Sequence, residues 1–415
     1  MDSIELYRQL LGIVAPWTVE RVEMNISGLR VDVHLTHATG ARFRCPECGQ
    51  ECGVYDHAQE RSWRHLDSCQ FQTLLHARAP RVNCPEHGVR QAELPWAEPG
   101  GRFTRLFEAL AVDVLLATDV KSAATLLGIT WDEAWNIKKR AVLRGRRAKR
   151  AAIPEQIGID EKAIAKGHHY MTLVYDLQEA TVEYIGEDRK QASLDAYFKA
   201  FTLEQRQEIE AIGLDMWGPY IRSCLDHVPG AEQKMVFDRF HIMAHVLDAV
   251  DKVRRREHKA LLSEGDATLT KSKYLWLYSA ENVPERSRER FEQLKSGQLK
   301  TARAWAIKES LRELWNYTDE HWAKGFWKRW YFWATHSRLP PIIEAARMIA
   351  RHLPNVLSYC RHRITNAVAE GMNSKIATIQ KRACGYRNAE HFKIAVYFHC
   401  GGLDLWPHRW THSKV

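Results

Sequence analysis

The chain has 415 residues, too many for one ordinary core, so its length predicts two to four domains. No apolar run approaches the roughly 20 residues needed to cross a bilayer, which excludes a protein with membrane-spanning helices. Lys and Arg number 60 against 51 Asp and Glu, a net charge of +9, and this modest excess favours a polyanion as partner.

The cysteines and the start of the chain indicate the compartment. The chain has 9 cysteines, an odd number, and four of the first five lie in or near CxxC-like motifs. This pattern favours a bound metal in a reducing environment over disulfides. The N-terminus is short and polar, without the pattern of a signal peptide. We therefore expect a cytoplasmic bacterial protein.

The first 100 residues predict a β-rich domain. Residues 1–19 have the apolar periodicity of a short amphipathic helix. Residues 20–37 alternate with period two on either side of Gly28, which predicts a strand pair. Residues 71–82 predict a further strand, which would bring the end of this domain back towards its beginning.

Two related motifs in this domain, CPECG at residues 45–49 and CPEHG at residues 84–88, predict a zinc site. Each motif is a tight turn that aims two ligands at one point, and Zn²⁺ takes four sulfur and nitrogen ligands tetrahedrally. The predicted ligands are Cys45, Cys48, Cys84 and His87. The alternatives are two unrelated turns with buried thiols, or a site that uses Cys52 or Cys69.

Residues 103–150 predict a helix-turn-helix DNA-binding domain. The pattern is a helix, a turn with glycine and a second helix, whose start has the capping-box pair Thr130 and Glu133. The predicted internal core consists of Ala123, Leu126, Leu127, Ile129, Ala134 and Ile137. The exposed candidates for recognition of DNA are Trp131, Asp132 and Asn136. The alternative is an αα-hairpin without a role in DNA binding.

A run of basic residues without an intervening acid follows, and it predicts contact with DNA phosphates. Its members are Lys138, Lys139, Arg140, Arg144, Arg146, Arg147, Lys149 and Arg150. The alternative is a solvated charged helix end, although surface helices normally mix both signs of charge.

Residues 151–242 predict the first part of an RNase-H-like α/β core, because three strands of antiparallel type are followed by βαβ connections. Asp160 ends the first run of strand-forming residues, and Asp215 ends a later one. Far along the chain, Glu370 lies in the first turns of a predicted helix. Two strand-end aspartates and a distant glutamate form the oxygen-rich set that Mg²⁺ or Mn²⁺ prefers.

Each of these three acids has a rival interpretation. Glu161 competes with Asp160, and Asp238, which also ends a strand, competes with Asp215; His241 is a candidate for an assisting group. The alternatives without a catalytic role are that either aspartate caps a turn or a helix, and that Glu370 lies on a salt-bridged surface helix.

Residues 243–364 predict an all-α insertion. Of the 15 tryptophans, seven fall between Trp276 and Trp333, and several recur at helical spacing. We interpret them as aromatic packing between helices. Stacking on unpaired DNA bases is the alternative.

The order IGIDE, LDMW, FDRFH and TN…EGMNSKI…KR…GYRN resembles the DDE transposases of bacterial insertion sequences, in particular the group often called the ISL-three family. The resemblance covers nearly the whole chain, because the zinc motifs and the helix-turn-helix also fit. It implies a multidomain α/β fold in which the core is interrupted by the helical insertion. It further implies a structural Zn²⁺ and two Mg²⁺ or Mn²⁺ ions per active site, with Asp160, Asp215 and Glu370 as catalytic ligands.

The resemblance also implies the reaction and its partners. Such a protein frees a 3′-OH at each end of its element and joins it to target DNA, without a covalent protein–DNA intermediate. Its partner is double-stranded DNA, it forms a homodimer when two ends are synapsed, and it is associated with the nucleoid. The cations after Glu370 that we predict to contact DNA are Lys375, Lys381, Arg382 and Arg387. His87 and Cys384 depart from the family, which usually has cysteine and tyrosine there.

We predict domains at residues 1–100, 101–150, 151–242, 243–364 and 365–415, the last containing the final core helix with Glu370. Two other functions remain open from the sequence. One is a catalytically inactive DNA-binding regulator derived from a transposase, and the other is a junction or repair nuclease on the same core.

Overall fold

The computed structural model describes residues 2–149, 152–165, 169–365 and 367–407. Within these ranges the chain forms two compact units. One comprises the residues up to 149 with Tyr397–His399 and residues 403–407; the other comprises residues 152–396 with Cys400–Gly402. The sequence also predicts a turn around Gly167. That turn and the last member of the basic run, Arg150, lie outside the described residues.

The first unit begins with a short helix and a β-sheet, as predicted. The elements are α1 Ser3–Leu10, β1 Trp17–Asn25, β2 Arg30–His37, β3 Arg42–Arg44, β4 Glu51–Arg64, β5 Gln72–Cys84 and β6 Gly88–Gln91. The strand order is β1-β2-β5-β4-β3, with β6 paired to β5. Alternate residues such as Val31, Val33 and Leu75 are buried, so one face of the sheet carries the core.

Three helices of the first unit confirm the helix-turn-helix: α2 Arg105–Ala117, α3 Val120–Leu127 and α4 Trp131–Ala148. The predicted capping box is present, because Thr130 Oγ1 accepts from the Glu133 N–H while the Glu133 carboxylate accepts from the Thr130 N–H. The turn depends on Gly128, which ends α3 at φ +62°. One predicted core residue is wrong: Leu126 is 73% exposed, because the neighbouring Leu127 fills the interior position.

The second unit contains the predicted RNase-H-like sheet. Its first elements are β7 Gln156–Ala165, β8 His169–Asp176, β9 Thr181–Glu187, α5 Gln191–Phe198, α6 Leu203–Gln207, β10 Ala211–Leu214, α7 Gly218–His227, α8 Ala231–Lys234 and β11 Met235–Phe237. The order is β11-β10-β7-β8-β9. β7, β8 and β9 are antiparallel, whereas β10 is parallel to β7 and β11 is parallel to β10. Three antiparallel strands followed by βαβ connections are therefore confirmed.

A long helical region follows β11 directly. Its helices are α9 Arg239–Ser263, α10 Lys273–Leu277, α11 Glu285–Ser296, α12 Lys300–Leu311, α13 Glu320–Thr335, α14 Pro340–Arg351, α15 Leu353–Leu357 and α16 Tyr359–His362, with short 3-10 turns at Ala280–Asn282 and Arg312–Asn316. The predicted packing role holds for most of the tryptophans of this region. Those that are buried are Trp276, Trp305, Trp315, Trp327 and Trp330. Trp322 and Trp333 are 67% and 40% exposed, so packing does not explain them.

The chain ends with α17 Ala367–Arg382, which carries Glu370, and α18 Ala389–Cys400. In the segment after α18, Trp406 Nε1 donates to Asp113 Oδ1 at 2.9 Å. Of this segment, residues 403–407 cluster with the first unit and residues up to Gly402 with the second. The domain boundaries remain predictions. No helix in the described part of the chain is long and apolar enough to cross a membrane.

Candidate functional site

The four predicted zinc ligands converge at the end of the first unit's sheet. Cys48 Sγ lies 3.6 Å from Cys84 Sγ, and His87 Nδ1 lies 3.6 Å from Cys84 Sγ and 3.9 Å from Cys45 Sγ. All four ligand atoms lie within 4.8 Å of one another. Two sulfurs bound tetrahedrally at 2.3 Å from zinc would be about 3.8 Å apart. The cluster thus fits a structural Zn²⁺.

Local backbone structure explains why these four side chains meet. Gly49 and Gly88, the last residues of the two motifs, adopt φ +74° and +67°, so each chain turns back immediately after its ligand pair. The second ring nitrogen of His87 lies 3.7 Å from Glu47 Oε2, a contact that orients the imidazole. The alternative ligands do not join the group: Cys52 directs its thiol to the Gln50 carbonyl, and Cys69 is exposed.

The predicted catalytic aspartates lie side by side on neighbouring parallel strands of the second unit, and Asp215 directly follows β10. The prediction that Asp160 ends its strand is wrong, because β7 continues to Ala165 and Asp160 lies in its middle. Gly213 of β10 pairs with Gly158 of β7, so two residues further on Asp215 lies level with Asp160. On the other side of β10, Leu214 pairs with Phe237 of β11, which puts Asp238 next to Asp215. Three carboxylates therefore follow one another across three adjacent strands.

Burial raises the pKa of all three aspartates. It raises the pKa of Asp160 to about 6, against the opposing hydrogen bond from the Glu161 N–H and the nearby His241, and with a further rise from Asp215. The pKa of Asp215 and that of Asp238 are also raised by burial, and the Asp238 charge raises that of Asp215 further. Ionising neighbouring buried carboxylates together is costly, but their ionisation becomes favourable when a bound cation offsets the negative charge. The edge therefore fits a divalent metal ion.

The rivals of Asp160 and Asp215 have other partners. Glu161 pairs with Arg189 at 3.3 Å, which supports Asp160 as the candidate ligand. Asp238 accepts from the Phe240 N–H and caps α9, and His241 Nε2 lies 3.9 Å from its other oxygen. Asp215 also accepts a backbone bond, from the Trp217 N–H.

Glu370 lies on α17 and is exposed. It lines a cleft together with Asp238, Phe240 and Thr365. Among the described residues, Asp160, Asp215 and Glu370 do not bring their oxygens within 4.8 Å of one another as a group. The structure thus assembles the two aspartates and brings the helix of the glutamate to the same edge of the sheet, while the role of Glu370 as a ligand remains a prediction.

The sequence places Asn373 in the neighbourhood of Glu370 but gives it no role, and the structure shows that it attaches α17 to β7. Asn373 Nδ2 donates to Asp160 Oδ2 at 2.6 Å, and its Oδ1 accepts from the hydroxyl of the buried Tyr175 at 3.0 Å. Lys162 Nζ donates to the Asn373 carbonyl at 3.1 Å. The signal was present, because Asn373 follows Glu370 by three residues and so faces the same side of the helix.

The predicted DNA-binding run on α4 requires correction, because several of its cations point inward. Lys138 is 3% exposed and donates to His399 Nε2 at 3.3 Å; burial lowers its pKa to about 8. Arg140 pairs with the buried Glu108, and Arg144 binds Glu98 at 2.8 Å. Lys138 is therefore inaccessible to DNA. Arg140 and Arg144 are half-buried in ion pairs, and their contact with DNA stays a prediction.

The other candidates, which lie on α4, on α17 and in the turn after α17, remain on the surface. Arg146 is exposed, although its guanidinium lies 4.6 Å from the ring centre of Tyr397. The further exposed candidates are Trp131, Asp132, Asn136, Lys139, Arg147, Lys375, Lys381, Arg382 and Arg387. Their position is compatible with contact to a nucleic acid, and their role there stays a prediction.

Comparison with known proteins matches each part of the chain. A DDE transposase profile of the ISL3 family, the group called ISL-three above, matches residues 157–396. A profile described as the zinc-finger of transposase IS204/IS1001/IS1096/IS1165 matches residues 41–87, and the helix-turn-helix domain of transposase family ISL3 matches residues 92–142.

Two curated relatives are similar over their whole lengths. The transposase for insertion sequence element IS1001 of Bordetella parapertussis is 27% identical over 402 residues, which cover 94% of this chain and 98% of the relative. The transposase for IS1557 of Mycobacterium tuberculosis is 26% identical over 445 residues, covering both chains completely.

Proposed function

The chain belongs to the ISL3 family of insertion-sequence DDE transposases, and from this premise we propose that it binds the terminal inverted repeats of its own element, cleaves them and joins the freed 3′-OH ends to target DNA. The observation that carries the proposal is that the register of the parallel strands β7 and β10 brings Asp160 and Asp215 level with each other, with α17 attached to Asp160 through Asn373.

The proposed catalytic residues are Asp160, Asp215 and Glu370. Mg²⁺ or Mn²⁺ held by these carboxylates would offset negative charge on the attacking and leaving oxygens of the phosphodiester. Asp160 and Asp215 suit this role because neighbouring buried carboxyl groups stay protonated to a higher pH in the absence of a counter-ion, so a bound cation would stabilise their ionised forms. Asn373 keeps one Asp160 oxygen fixed, so the carboxylate is oriented before DNA arrives.

DNA binding is assigned to the first unit and to the surface cations on α17 and just after it. The helix-turn-helix would place α4 on the terminal repeat, with Trp131 and Asn136 towards bases and Lys139, Arg146 and Arg147 towards phosphates. Lys375, Lys381, Arg382 and Arg387 would hold the DNA backbone beside Glu370. Because two ends of an element react together, we expect a homodimer on DNA.

The test uses purified full-length protein and two labelled duplexes, one with an end of the element and one with the same bases scrambled. We expect cleavage at the end and strand transfer into a plasmid only with Mg²⁺ or Mn²⁺, and only for the end-containing duplex. Asp160→Asn should abolish both reactions and leave end binding intact. Equal cleavage of the scrambled duplex would indicate a nuclease of another kind, and binding by the wild type without any cleavage would indicate a regulator.

A further inference from the structure

A second cluster of metal-ligating side chains lies on the sheet of the first unit, apart from the cysteine site. His34, Glu60 and His76 each offer a ligand atom, and these atoms lie within 4.8 Å of one another. The residues come from β2, β4 and β5, which are adjacent in the sheet, and the parallel register puts His34 level with His76. Backbone ladders therefore fix the spacing of the three side chains.

The two histidines lie side by side, and His76 has the hydrogen bond that a ligating histidine usually makes. Their rings stack with centres 4.6 Å apart and planes 18° apart. His76 Nε2 bonds to Asp32 Oδ1 at 2.5 Å, which leaves Nδ1 as the coordinating nitrogen, 4.0 Å from Glu60 Oε1. A ligating histidine commonly binds a carboxylate through its other nitrogen in this way, which fixes the ring and its tautomer. His34 is 8% exposed, so its ring is also held in place.

The neighbouring strand β1 supplies a fourth ligand and a competitor. Glu23 Oε2 lies 4.0 Å from His34 Nε2. Arg21 Nη2 lies 3.3 Å from the same nitrogen, and its guanidinium bonds to Glu23 at 2.7 Å. A guanidinium at this place indicates that the surroundings favour positive charge. Because the Arg21 side chain is 51% exposed, a metal ion can displace it into solvent.

We propose that this cluster is a second metal site, which binds a divalent transition-metal ion of the zinc class through His34, His76 and Glu60, with Glu23 or water in the fourth position. Two imidazoles and a carboxylate favour zinc and its neighbours over Mg²⁺ or Ca²⁺, which take oxygen ligands. The ion joins β2, β4 and β5 on the face opposite the core. It would thereby stabilise the sheet whose strands β4 and β5 border the cysteine site.

The experiment titrates Co²⁺ and then Zn²⁺ into full-length protein freed of metal under mild conditions, in buffer with excess Mg²⁺ that keeps the proposed carboxylate site at Asp160 and Asp215 occupied. Bound cobalt and zinc are measured by elemental analysis. Cobalt at the cysteine site gives a sulfur-to-metal charge-transfer band, whereas cobalt at the histidine cluster gives only weaker ligand-field bands. The two equivalents are thus counted separately, and the charge-transfer band also shows that each variant has folded around its cysteines.

The wild type should bind two equivalents. His76→Gln should remove the second one, and Glu60→Gln should weaken it about tenfold or more, with the charge-transfer band unchanged. Glu93→Gln, which removes an exposed carboxylate elsewhere in the same unit, is the matched control and should change neither equivalent. Arg21→Ala should tighten the second equivalent by removing its competitor. A single equivalent in the wild type, or a second equivalent that persists unchanged in both His76→Gln and Glu60→Gln, would overturn the proposal.

Discussion

Replacement of Asn373 by alanine should raise the Mg²⁺ concentration that DNA cleavage requires. The amide donates to Asp160 Oδ2 at 2.6 Å and accepts from the Tyr175 hydroxyl at 3.0 Å, so it connects a candidate metal ligand with the buried interior of the sheet. Without the amide, Asp160 keeps its bond from the Glu161 N–H but loses the contact that holds its second oxygen. The carboxylate must then be ordered by the metal itself, and the metal binds more weakly.

The magnitude follows from the bonds that are lost. A hydrogen bond to a charged group contributes about 1.5–3 kcal/mol. Since about 1.4 kcal/mol corresponds to a factor of ten, the expected shift in Mg²⁺ requirement is about 10–100-fold. Tyr175→Phe removes only the outer bond, which supports the amide and not the carboxylate directly. It should shift the requirement by about threefold to tenfold, in line with a neutral hydrogen bond of about 1 kcal/mol.

The assay measures single-turnover cleavage of an end-containing duplex over a range of Mg²⁺ and of Mn²⁺ concentrations. Ser374→Ala, a change at the exposed neighbour of Asn373 on α17, is the control and should match the wild type. The reasoning predicts that high metal concentration restores much of the rate of Asn373→Ala, because the lost order is recovered by binding energy. A slower rate with an unchanged metal requirement would refute it, and would mean that Asn373 only fastens α17 to the sheet.

Three further outcomes test other parts of the structure. The folded-state pKa of Asp160 is raised from 3.8 to about 6, so ionisation of this carboxyl lowers the free energy of unfolding by up to about 3 kcal/mol as the pH rises from 3.8 to 6, and by the same amount above pH 6. Asp160→Asn should thus raise the melting temperature at pH 7.5 in Mg²⁺-free buffer and leave it nearly unchanged at pH 4. An equal effect at both pH values would contradict the raised pKa. Cys48→Ser should lose the zinc of the cysteine site and the binding of the element's end together, because binding of structural zinc contributes about 10 kcal/mol or more to the folding free energy of small domains. Cys69→Ser should lose neither. Gly145→Ala should lower the free energy of unfolding of the first unit by about 1–2 kcal/mol, because the new Cβ would lie 2.8 Å from the Asp404 carbonyl oxygen. This overpacking costs more than the roughly 1 kcal/mol of helix propensity that alanine gains over glycine. A higher melting temperature would show that the segment around Asp404 moves away to accommodate the methyl group.

Short sequence motifs predicted correctly those parts of the fold that depend only on residues close together in the sequence. The capping box at Thr130 and the two cysteine motifs are short signals whose physical meaning does not depend on distant residues, and both are present as expected. The strand types of the second sheet also followed, since three antiparallel runs and then βαβ connections allow few arrangements. Asp215 was placed correctly after its strand, whereas Asp160 was not, because β7 continues for five residues beyond it.

Contacts between residues far apart in sequence were not accessible in the same way. Lys138 and Arg144 were interpreted as DNA ligands because a basic run normally seeks solvent, yet His399 and Glu98 hold them inside the unit. No residue near Lys138 in the sequence indicates that its hydrogen-bond partner, His399, follows 261 residues later. The same limit applies to His34 and His76, which are ordinary strand residues until the parallel pairing of β2 and β5 brings them level.

The position of Glu370 follows from the charges at the sheet edge. Glu370 and Asn373 are separated by three residues of α17, or about 4.5 Å along the axis, and face the same side. Asn373 reaches Asp160, while Glu370 lines the cleft beside Asp238. In the absence of a cation, a third carboxylate gains nothing by approaching Asp160 and Asp215, whose own charges are already costly. A divalent ion reverses the sign of that interaction, so we expect a change of the Glu370 side chain, or a small shift of the helix about Asn373, to bring the glutamate in when metal and DNA bind. A metal-bound structure on DNA with Glu370 still in the cleft would contradict this account and leave Asp238 as the third ligand.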